Sequence, residues 1–68
     1  MSAQPEVVRM ANDIARHFEI YDEADAIPAI VGHLRDFWTR AMIEELRELA
    51  LSDAVAIVPL AHKAIRAL

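Results

Sequence analysis

Apolar residues recur at intervals of three and four along most of the chain, the period of an amphipathic α-helix, and strict alternation is scarce. Val7, Met10, Ala11, Ile14, Ala15 and Phe18 form the first such stripe, with Arg9, Asn12, Asp13 and Arg16 on the other side, which predicts a helix from about Pro5 to Glu19. Pro5 suits a first turn, where its missing N–H would have no partner, and Asp13 and Arg16 are spaced to pair across one turn. Ile20 to Ala24 read as a connector, and Asp25 is a natural N-cap for a second helix from about Ala26 to Trp38. That start keeps Pro28 in the first turn; a start at Glu23 would set it deeper, at about 3 kcal/mol. Ile27, Ile30, Val31, Leu34, Phe37 and Trp38 make the second stripe, and Gly32 implies close approach of another backbone.

Thr39 is the expected N-cap of a third helix running to about Leu51, with Met42, Ile43, Leu46, Leu49 and Ala50 inward and Glu44, Glu45, Arg47 and Glu48 in water. Ser52 and Asp53 break the pattern. A fourth helix is expected to start near Val58, with Pro59 in its first turn and Leu60, Ala61, Ala64, Ile65 and Leu68 inward. The expected fold class is all-α, a compact bundle of about four short helices in a single domain over residues 1–68, with antiparallel neighbours favoured by the short connections.

Composition adds a surplus. Of the 68 residues, 56% are hydrophobic, with one Gly and three Pro, too apolar and too poor in breakers for a disordered tail. A chain of this size buries only about 60% of its unfolded surface, so apolar surface should remain outside, where it usually marks a partner site. Seven dispersed Lys and Arg against eleven acids, net charge −4, argue against nucleic acid and anionic membranes as partners. No apolar run approaches the roughly 18 residues of a membrane span. Met1 to Glu6 lack the charged and apolar regions of a signal peptide, and there is no cysteine, features that fit a cytoplasmic protein.

Candidate chemistry is sparse. His17, His33 and His62 fall on three different helices and in no metal-binding spacing; Asp13 and His17, four apart, read as a hydrogen-bonded surface pair before they read as metal ligands. Ser2 is expected in a loose terminus, and Thr39 and Ser52 stand where helix caps belong. No glycine-rich turn exists to cradle a phosphate or an oxyanion. A metal-dependent or hydrolytic mini-enzyme therefore ranks last.

His33-Leu34-Arg35-Asp36-Phe37-Trp38-Thr39-Arg40-Ala41-Met42 gathers two aromatics, two arginines and a histidine at one helix–helix corner, a composition typical of interface hot spots. Phe37 is assigned to the core, and Trp38 and Arg35 are left open between interior and partner. Together with Val8-Arg9-Met10-Ala11-Asn12-Asp13-Ile14-Ala15, Phe18, Pro59-Leu60, Ala64 and Leu68, this block resembles the delta subunit of NAD-dependent molybdenum formate dehydrogenase. That family reads V-R-M-A-N-x-I-A-x-F-F in its first helix and H-L-R-x-F-W-D-P-R-M later. The chain departs from it at Thr39-Arg40-Ala41 and at Leu51 to Val55, where the family has a glycine-rich turn.

The resemblance implies a non-catalytic accessory subunit of a formate:NAD oxidoreductase, docking on the catalytic alpha subunit to support its assembly or stability. Molybdopterin guanine dinucleotide, iron–sulfur clusters and FMN would belong to the other subunits, and no cofactor to this one. Arg9, Asn12, His33, Arg35, Trp38 and Met42 carry over as partner contacts or structural keystones, with the anchor centred on Trp38 and Arg35 and Asn12 as a polar contact. The alternative is a self-associating helical module, a homodimer without an enzyme partner.

Overall fold

Each apolar stripe becomes a helix in the computed structural model, which describes residues 4–68. Ser2 and the start of the segment read for a signal peptide lie outside the described residues. In chain order the elements are α1 (Glu6–His17), α2 (Glu23–Phe37), α3 (Arg40–Leu49) and α4 (Pro59–Arg66). The fold is an all-α small bundle. Its most extensive pairing is α2 on α4, and α1 packs on both α3 and α4. Both α2–α4 and α1–α4 join elements distant in sequence, and α1 also packs on its neighbour α2.

The caps explain two of the boundaries. Thr39 caps α3 as expected, its Oγ1 accepting from the Met42 amide at 3.2 Å. Pro59 opens α4 at the position where its missing donor leaves no gap.

The second helix begins earlier than the proline suggested. Its N-cap is Asp22 rather than Asp25, and the Asp22 carbonyl accepts from the amides of Asp25 at 2.9 Å and Ala26 at 2.8 Å. Pro28 therefore lies inside the helix. The Ala24 carbonyl loses its i+4 donor, but Ala24 and Pro28 are both exposed, so that carbonyl faces solvent. In return the extra turn buries Ala26 completely and brings Glu23 within 2.5 Å of Lys63 on α4.

The buried faces are narrower than the stripes and slightly rotated from them. In α1 the centre is Val8, Ala11 and Ala15, with Met10, Ile14 and Phe18 half-buried at its edge. Asn12, expected on the polar side, is buried at 4% exposure. Its side chain acts as a two-pronged clamp: Nδ2 donates to the Ala56 carbonyl at 2.8 Å, and Oδ1 accepts from the Val58 amide at 3.0 Å. In α2 the core positions are Ala26, Ile30, Leu34 and Trp38, spaced every four residues. Ile30, Leu34 and Trp38 join Val7, Val8, Ala11 and Ala15 from α1, Leu46 from α3, and Ala61, Ala64 and Ile65 from α4 in one hydrophobic cluster.

Phe37 and Trp38 are exchanged relative to expectation. Phe37 is 74% exposed and Trp38 only 8%. The helix ends at Phe37, and Trp38 adopts extended backbone (φ −98°, ψ 147°), which directs the indole inward below Leu34. Gly32 is also corrected: a Cβ there would meet nothing within 4 Å, and its φ is not positive, so nothing within the folded chain accounts for the glycine.

Two stability measurements check this description. Asn12→Ala leaves the Ala56 carbonyl and Val58 amide without their partner, and should cost roughly 2–4 kcal/mol in urea unfolding; a midpoint equal to wild type would show the clamp to be incidental. Gly32→Ala adds a methyl in open space and should stabilise by about 1 kcal/mol, raising the melting temperature by several degrees. A lowered melting temperature would mean that the surroundings of Gly32 are tighter than described.

Candidate functional site

The chain has one Trp, one Tyr and two Phe, and only the Trp is in the core. The other three gather on one outward face, built from the C-terminal half of α1, the turn after it, and the C-terminal half of α2. His17 and Phe18 meet edge-to-face with ring centroids 5.5 Å apart, and Phe18 is followed by Tyr21 at 6.0 Å. Across the face His33 stacks obliquely on Phe37 at 4.9 Å. The helical period produces that second pair, since residues four apart lie one above the other.

Between the two pairs runs an open groove of about 390 Å³, lined by Asp13, Ile14, His17, Phe18 and His33. Tyr21 and Phe37 are among the most exposed large apolar residues of the chain, together with Ile20 and Leu51. Ile20 lies in the same turn as Tyr21, and Phe18 and His33, which line the groove, contact Tyr21 and Phe37 respectively. Surface aromatics in such concentration are the mark of an interface, because they combine large apolar area with few rotatable bonds.

The residues proposed from sequence are distributed unevenly about this face. His33 lines the groove. Trp38 and Asn12 are interior residues, which corrects the expectation of an anchor centred on Trp38 with Asn12 as a polar contact: one fills the core and the other clamps the chain before α4. Met42 is half-buried against the core, with its amide held by the Thr39 cap. Arg9 is exposed and bonded within its own helix, to Glu6 and to Asp13 at 3.5 Å. Arg35 is exposed, two residues from both His33 and Phe37 and hence about 200° around the helix from each. Phe18, Tyr21 and Phe37 were not singled out as contacts. A signal was available in the one-turn spacing of His33 and Phe37 and in the aromatic at the end of the connector.

Chemically the groove offers a binding surface. Asp13 bonds Arg9 and Arg16, at 3.5 and 3.4 Å, in place of the expected pairing with His17. Among the described residues no group of three or more candidate ligands could hold a metal ion. The chain has no thiolate for an iron–sulfur cluster, and the groove lining has Asp13 but no lysine, arginine or glycine-rich loop for a nucleotide or pterin phosphate. Among the described residues, no helix is long and apolar enough to cross a membrane.

Comparison with known proteins accounts for the motif in α1 and the block at the α2–α3 corner. No curated protein and no solved structure matches significantly. The family model described as NADH-dependent formate dehydrogenase delta subunit (FdsD) matches residues 6–65, from the first residue of α1 to the penultimate residue of α4. With nearly the whole chain covered, the protein belongs to the family of delta subunits of NADH-dependent formate dehydrogenase.

Proposed function

We propose that this chain is a non-catalytic delta subunit which docks through its aromatic groove on the catalytic alpha subunit of a formate dehydrogenase, supporting the assembly or stability of that subunit. The observation that carries the reading is the placement of aromatic side chains: Phe18, half-buried, lines a groove, and Tyr21 and Phe37, each stacked on a lining residue, are exposed. A domain this small gains most from burying its aromatics. Leaving Tyr21 and Phe37 at the surface is favourable only if something else covers them.

In this reading the chain supplies surface and no bond-making group. Oxidation of formate, with molybdopterin guanine dinucleotide, iron–sulfur clusters and FMN, belongs to other subunits of a cytoplasmic enzyme. His33 contributes to the docking face, and Arg35 and Arg9 lie outside it. Trp38 and Asn12 act by holding α1, α2 and α4 in the geometry that forms the groove.

Two variants separate docking from folding. Tyr21→Ala with Phe37→Ala removes exposed rings, so melting should stay within a few degrees of wild type. Recovery of the protein with the alpha subunit should fall at least about tenfold, the effect of losing interface aromatics. Trp38→Ala should instead lower stability by roughly 3–5 kcal/mol, as for core truncations. Wild-type recovery of the double variant with the alpha subunit would remove the groove from the interface.

A further inference from the structure

The charges around the groove are arranged unequally. Along the exposed side of α1, Glu6, Arg9, Asp13 and Arg16 neutralise one another, two acids against two bases. Beyond them the compensation stops. Glu19 follows Phe18, Asp22 follows Tyr21, and Asp36 adjoins Phe37 one turn on from His33; all three are exposed, and among the described residues none is in an ion pair. The only cation between Arg16 and Arg40 is Arg35, turned about 200° from Phe37, and Arg40 is drawn to Glu44 at 3.4 Å.

Asp36 is also badly placed for the helix that carries it. It lies in the last turn of α2, where the negative end of the helix dipole disfavours an acid by about 0.3–1 kcal/mol. Among the described residues no side-chain hydrogen bond or ion pair offsets that. Its position beside the most exposed phenylalanine is therefore unexplained by folding.

We infer that the occupant of the groove is a segment of the larger subunit that presents an apolar side chain flanked by arginine or lysine. This rests on the docking reading and specifies its chemistry. An apolar side chain fills the space between the His17–Phe18 and His33–Phe37 pairs. A guanidinium or ammonium beside it meets ring faces, which attract cations, and the unpaired carboxylates of Glu19, next to Phe18, and Asp36, one turn on from His33. Arginine suits both contacts, being planar and weakly hydrated. A second copy of the chain suits neither. A two-fold contact would set each rim against its own image, acid against acid, in a protein of net charge −4.

The test uses formate dehydrogenase purified without its delta subunit, titrated with the full chain at low and at high salt. Glu19→Lys with Asp36→Lys should weaken binding about tenfold or more and abolish most of its salt dependence. The same variant should melt no lower than wild type, because lysine suits the end of α2. Glu45→Lys with Glu48→Lys, on the outer side of α3, should bind as wild type. Unchanged or tighter binding by the rim variant, while Tyr21→Ala with Phe37→Ala still fails to bind, would overturn the basic-partner inference and leave docking intact. Wild-type binding by both would remove the docking reading itself. Sedimentation showing a tight dimer that Phe37→Ala disrupts would make a second copy the occupant and overturn the inference.

Discussion

The clamp made by Asn12 is the contact on which the remaining architecture depends. The segment between α3 and α4 has no helical hydrogen bonds of its own, and its extended stretch at Ala56 to Val58 must find partners elsewhere. A primary amide offers a donor and an acceptor on one rigid plane, and Asn12 uses both. By fixing Val58, the N-cap of α4, it determines where Pro59 starts the last helix and which side of that helix meets α1 and α2. Because α2 packs chiefly on α4, the position of the groove wall carrying His33 follows indirectly from one buried amide on α1.

A core built around small residues follows from the same geometry. Ala11, Ala15, Ala26, Ala61 and Ala64 are all buried, and small side chains let helix axes approach closely. The larger interior groups are Val7, Val8, Ile30, Leu34, Leu46, Ile65 and, at the corner, Trp38. Phe18 packs at the edge of this core, while Tyr21 and Phe37 stay outside it.

How much of this was legible in the sequence depended on how local the determining physics was. Four helices, the Thr39 cap and the Pro59 start rest on short-range periodicity and capping, and these emerged as read. The start of α2 did not, because a proline is normally disfavoured inside a helix; here the exposed Ala24 carbonyl, the buried Ala26 and the Glu23–Lys63 contact offset it. The burial of Asn12 depends on Ala56 and Val58, more than forty residues away, so no local pattern could reveal it. The exchange of Phe37 and Trp38 had a different origin. A 100° step between adjacent residues holds only while the helix continues, and it ends between them. As the candidate site depends on that exchange, the block His33 to Trp38 was recognisable by resemblance while the outward residue within it was not.

Phe37 and Asp36 together separate what the fold requires from what it tolerates. Neither improves the isolated bundle: the ring lies in water apart from its contact with His33, and the carboxylate opposes the dipole of α2. Trp38, the next residue, is indispensable to the interior. Three consecutive positions therefore answer to different demands, and the two that add nothing to the interior are the exposed ones. Residues that local stability does not explain are best understood through what they contact outside the chain.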